Sequence, residues 1–282
     1  MVRKILALAD MHVLSFYGLA PEKWSGEDGS EIHANDGQKL LFRYWKHLMQ
    51  TVNKEEKWHP EEVWVVGDVF AGLNPVERGR GVRGSLDEQM KCAVELLEML
   101  PDDVLVKVWS GSAYHESVDV RMHERLVDNL KLDGFQAKFR GSWSVEPIGK
   151  RKNAFVAHEA SSSIMYPATV MARDANYFKI AAFDGKLPEI TLIVRAHKHS
   201  KMFQDLGRVK VVQLPSWCVF MPYSRSLKMF PAWQSDIGAM FIFLDEEDRI
   251  KVQEWIYPSF SMTEKGEVIM PKYDEKSFVR GW

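Results

Sequence analysis

The sequence predicts a mixed α/β sandwich, two mixed β-sheets packed face to face and flanked by helices. Three observations predict it. Short apolar runs recur along the chain and stop at a glycine, a carboxylate or a histidine; amphipathic helical patterns lie between them; and the C-terminal part becomes strand-rich.

Residues 5–9 form the first run, ending at Asp10 and patterned like a strand buried on both faces. Helical periodicity follows over 38–52, with Leu41, Trp45, Leu48 and Met49 on one face and Asp36 as its start signal. A second strand, 63–68, ends in Gly67-Asp68, and a second helix, 86–100, starts after Ser85. Residues 104–111 give a third strand, 118–132 a helix, 154–158 a strand, 164–182 a helix and 190–197 a strand ending at His197. Beyond it, 209–217, 239–245 and 249–258 are strand-like, the last two joined by a turn at Glu246, Glu247 and Asp248. No linker or repeat divides the chain, so residues 1–282 are expected to form a single domain. Its strand-rich part from about 208 is expected to complete the second sheet.

A chain that is 46% hydrophobic and 27% charged is not of the disordered class. Its formal charge of −2 excludes a global positive field for a polyanion, so nucleic-acid contact requires a local patch. Cys92 and Cys218 stand far apart and read as reduced thiols. Asp10 interrupts the N-terminal apolar run before a signal-peptide core or membrane span can form, which implies a cytoplasmic protein without membrane contact.

Function is carried by what ends the strands. Asp10 and His12, Asp68, His115, His158, and His197 with His199 all follow apolar runs, and five of the nine histidines lie there. Loops at the carboxyl ends of parallel strands converge, so these groups can meet although they span positions 10 to 199. Singly each is weak: a strand-terminal aspartate is often a turn or cap, and His158 alone reads as a core histidine. Together, imidazoles and carboxylates in this number exceed what one tetrahedral ion needs. They point to two divalent ions, with Asp68 as the natural bridge.

In order and type, Asp10-Met11-His12, Gly67-Asp68, Gly111-Ser112-Ala113-Tyr114-His115-Glu116, His158 and Ala196-His197-Lys198-His199 resemble the motifs of the calcineurin-like metallophosphoesterase superfamily: D-x-H, G-D, G-N-H-D/E, H and G-H-x-H. "YGLAPEKW", "GDVFAGLNP" and "LPSWCVFMPY" further resemble its phage and prophage branch. The resemblance implies one metal on Asp10, His12, Asp68 and His199. It implies a second on Asp68, His158, His197 and Ser112, the residue at the asparagine position. Mn²⁺ is the first candidate, with Zn²⁺, Fe²⁺, Ni²⁺ or Mg²⁺ as others. It also implies a metal-bridged hydroxide attacking a phosphate ester, with His115 as general acid beside the leaving group.

Two departures stand out: Ala196 replaces glycine, and His115 lies two residues later than the family spacing, which a bulged loop would accommodate. The resemblance supplies no substrate; a phosphodiester of nucleic acid or a nucleotide is the first class to test. A phosphomonoester, and a non-catalytic metal-binding or assembly role, are the alternatives. Arg78, Arg80 and Arg83 form a basic glycine-rich loop that either grips phosphates or is a solvated surface. The aromatics of 13–36 form either a lid or base-stacking wall, or packing against the sandwich.

Overall fold

The structure is a computed structural model that describes residues 3–73, 82–113, 115, 121–159, 167–219, 235–263 and 265–270. Its strands are β1 (Arg3–Leu8), β2 (Lys23–Ser25), β3 (Glu31–His33), β4 (Glu62–Val66), β5 (Leu105–Trp109), β6 (Gln136–Phe139), β7 (Trp143–Pro147), β8 (Asn153–Ala157), β9 (Ile190–Arg195), β10 (Met202–Asp205), β11 (Lys210–Gln213), β12 (Ile237–Leu244), β13 (Ile250–Tyr257), β14 (Ser261–Met262) and β15 (Val268–Ile269). The helices are α1 (Asp36–Lys54), α2 (Leu86–Leu97), α3 (Met122–Leu132) and α4 (Pro167–Phe183). The expected starts of α3 and α4 lie partly outside the described residues.

Six strands form one sheet in the order β13-β12-β1-β4-β5-β6, and five form a second in the order β10-β11-β9-β8-β7. In the first, β1, β4, β5 and β6 run parallel; in the second, β8, β9 and β11 do. The outer face of the first sheet, through Leu6, Leu8, Val63, Val65, Val106 and Val108, packs in one core with α1, α2 and α3. Its inner face carries Ile5, Ala7, Trp64, Val66 and Trp109 against Ala154, Val156, Leu192 and Val194 of the second sheet. On the far side, α4 packs Met171, Ala175 and Phe178 onto Phe155, Ile193 and Val211. The expected sandwich is therefore present, with strand side chains alternating between two cores.

Two expectations are corrected. The cap of α1 is Asn35, not Asp36: its side chain accepts from Gln38 N, and the Gln38 side chain accepts from Asn35 N, which closes a capping box. Asp36 sits in the first turn, where its charge favours the positive end of the helix dipole. The strand-rich C-terminal part does not complete the second sheet alone. β11 joins that sheet, but the β12–β13 hairpin extends the first, with β12 antiparallel to β1 from Arg3↔Leu244 to Ala7↔Met240. The apolar β1 is thereby covered on both edges.

Candidate metal centre

Each candidate side chain stands on the residues just past a strand end. Among the described residues, seven non-glycine residues have positive φ, and five of them are Asp10, His12, Asp68, His197 and His199. Left-handed backbone costs an L-residue about 1 kcal/mol or more. Such strain gathered at five polar positions marks loops shaped for the placement of their side chains. Ala196 is not among the strained residues, so glycine is not required there. Gly67 and Gly111 are required by close approach. A Cβ on Gly67 would lie 2.4 Å from the His158 ring, and one on Gly111 would lie 2.0 Å from Asp68 Oδ1.

The loops bring together residues far apart in sequence. His12 Nε2 lies 3.1 Å from His199 Nε2, and His199 Nε2 lies 3.3 Å from Asp10 Oδ1. His158 Nε2 lies 2.9 Å from Asp68 Oδ2 and 3.8 Å from Asp10 Oδ1, while His197 Nδ1 is 3.9 Å from Asp68 Oδ2. His115 also reaches the cluster, its ring centroid 4.4 Å from that of His12. Three groups have ligand atoms all within 4.8 Å of one another: Asp10, His12 and His199; Asp68, His158 and His197; and His12, Asp68 and His115.

Ser112 is buried against Asp68: its N–H donates to Oδ1 at 2.7 Å, and its Oγ lies 3.2 and 3.1 Å from Oδ1 and Oδ2. His115 N–H donates to Ser112 O at 3.1 Å, which holds the histidine at the site despite its later place in the sequence.

The hydrogen bonds fix the tautomers. His158 Nδ1–H donates to Val66 O at 2.8 Å and His115 Nδ1–H to Ala71 O at 2.9 Å, the outer-shell arrangement that orients ligating histidines. In neutral His158, Nε2 then aims a lone pair toward Asp68. Asp10 Oδ1 and His12 Nδ1 are buried without a hydrogen-bond partner among the described residues. A cation among these atoms would relieve that arrangement, so the donor set fits divalent ions.

The electrostatics agree. Burial opposes ionisation of Asp10 and Asp68, yet the histidine charges, from His199 and His158 at Asp10 and from His158 at Asp68, hold both carboxyls well below the usual range. Burial also disfavours the charged form of His158, but Asp68 and Asp10 push it up to about 10. Burial, then the neighbouring His115, holds His12 down at about 4.

Arg83 donates to Gln38 Oε1 at 2.9 Å and lies over Phe16 and Trp24, while Arg78 and Arg80 lie outside the described residues. Tyr17 and Trp24 are buried in the core and Phe16 packs against it, which is the packing alternative for residues 13–36. Sequence reasoning missed the residues that brace the loops. Gln89 clasps the backbone of Gly72, Gln213 donates to Ala196 O, and the Asp236 carboxylate accepts from Lys201 N at 2.8 Å while its own N–H donates to His199 O. For Gln89 a signal existed: it falls on the stripe of α2 that carries Ala93 and Leu96.

No family profile and no curated protein matches this sequence. Among solved structures, the chain is similar to an archaeal phosphodiesterase, at 13% identity and a TM-score of 0.47, over 90% of this chain and 99% of that one. It is also similar to a predicted phosphoesterase from Streptococcus pneumoniae (10% identity, TM-score 0.35, 91% and 99% covered). A third is Vps29 from Entamoeba histolytica complexed with Zn²⁺ (10% identity, TM-score 0.37, 90% and 98% covered). None of these likenesses reaches a TM-score of 0.5, and what the site can do follows from its own atoms. Among the described residues, no helix is long and apolar enough to cross a membrane.

Proposed function

We propose that this chain is a metal-dependent phosphoric ester hydrolase acting on a phosphodiester of nucleic acid or a nucleotide. The observation that carries the reading is the shared carboxylate: Asp68 belongs to two of the three ligand groups, and His12 links the second of these to Asp10 and His199. Asp10, His12, His199 and Asp68 would hold one divalent ion and Asp68, His158 and His197 another, with Mn²⁺ the first to test. Ions bound there would supply Lewis-acid polarisation of a phosphoryl oxygen and an acidified water as nucleophile.

The protein's own groups do the remaining work. Asp10 and Asp68 stay ionised despite full burial and set the negative charge that draws cations in. His158, fixed by Val66 O, keeps one ring nitrogen facing that charge. His115 is oriented by Nδ1–H donating to Ala71 O, and in its protonated form it would give the Nε2 proton to the departing alkoxide.

Mn²⁺-stimulated hydrolysis of bis-p-nitrophenyl phosphate, compared with p-nitrophenyl phosphate, tests the reading. Preference for the diester is the expected result. Preference for the monoester would make the chain a phosphatase, and failure to cleave either with ions bound would leave a non-catalytic metal-binding protein.

A further inference from the structure

Ser112 stands where the resemblance places an asparagine ligand, and its contacts describe a different task. A carboxylate is acceptor-only, so every contact between Ser112 and Asp68 has the serine as donor. The amide N–H is 2.7 Å from Oδ1, and the hydroxyl sits almost equally between the two oxygens, at 3.2 and 3.1 Å. Gly111 brings the same loop so close that a Cβ would overlap Asp68 Oδ1 and the Asp68 backbone nitrogen. The Ser112 carbonyl, in turn, accepts from His115 N–H at 3.1 Å. One buried residue thus ties the shared carboxylate to the turn that delivers His115.

We infer that Ser112 is a positioning residue, not a metal ligand: its N–H and hydroxyl hold the Asp68 carboxylate so that Oδ2 faces His158 and His197. The hydroxyl proton is committed to the carboxylate. Charge-assisted hydrogen bonds of this kind fix orientation more firmly than neutral ones, and outer-shell donors of this type typically change metal affinity by about 10- to 100-fold when removed. The inference rests on the metal-centre reading above, but it can fail while that reading survives.

The test is titration of the ion-free full chain with Co²⁺, followed by its visible absorption, in wild type, Ser112→Ala and Ser112→Cys. A positioning role predicts that Ser112→Ala binds as many ions per chain as wild type, about 10-fold or more weakly, with the same d–d band shape. It also predicts that Ser112→Cys, close in size, binds Co²⁺ without a thiolate-to-cobalt charge-transfer band. That band in Ser112→Cys, an ion lost outright in Ser112→Ala, or unchanged affinity in Ser112→Ala would each overturn the assignment. Absence of Co²⁺ binding by wild type would overturn the metal-centre reading itself, and the serine assignment with it.

Discussion

Two buried polar clusters lie in this sandwich, and they are built in opposite ways. In the first, between the sheets, Lys107 pairs with Glu62 at 2.9 Å and Glu146 at 3.0 Å. Arg140 and Ser144 also bind Glu146, and Trp64 Nε1 donates to Glu62 at 2.8 Å. None of these side chains appears among the buried atoms without a partner. In the second, at the strand ends, Asp10, His12, Asp68 and His158 are just as buried, but Asp10 Oδ1 and His12 Nδ1 lack partners, and five of the residues sit on left-handed backbone. A charge cluster that serves the fold closes its own hydrogen bonds. One that leaves donor atoms open at a cost in strain is shaped for something that is not protein, and the chemistry of its atoms selects a divalent cation.

Substitutions can break that contrast. Asp68→Ala removes the carboxylate common to two ligand groups; it is expected to abolish ion binding at the cluster and all turnover while the protein stays folded, as read by metal analysis and circular dichroism. His115→Ala should keep its ions and lose turnover by about 10²- to 10⁴-fold, the usual contribution of a general acid; loss of an ion instead would make His115 a ligand. Lys107→Met removes the cation shared by two buried carboxylates between the sheets. It should cost about 3–5 kcal/mol in urea denaturation, with ion stoichiometry unchanged in the protein that remains folded.

A further effect is expected on pH dependence. In the ion-free protein, His158 has its folded value raised from 6.5 to about 10. Its contribution to stability is complete below 6.5 and is lost as the pH rises through 10. His12, lowered from 6.5 to about 4, behaves oppositely: its contribution is present above 6.5 and lost as the pH falls through 4. An ion must displace the His158 proton, so Mn²⁺ affinity should rise by about tenfold per pH unit between 6.5 and 10. A flat profile in calorimetric titration would mean that His158 is not a ligand.

The site was legible in the sequence because its residues are the ones that interrupt apolar runs. Asp10, Asp68, His158 and His197 each follow a strand whose burial on both faces is written in valine, isoleucine, leucine and alanine. That those strand ends meet follows from parallel layering. The rest depends on pairing across long separations, which local pattern does not encode. β12 lies beside β1 although more than two hundred residues separate them. Lys107 sits inside a run that reads as apolar because its partner, Glu146, is supplied by the other sheet. Asp236 supports the His199 loop from a segment whose only local signal is a strand start.

The central claim is that the open cluster is completed by two ions, and it is tested most directly by titrating Mn²⁺ into ion-stripped protein while following stoichiometry and thermal midpoint together. The account predicts two ions per chain, a midpoint that rises as they bind, and neither effect in Asp68→Ala. No saturable binding in wild type, or equal binding in Asp68→Ala, would contradict it.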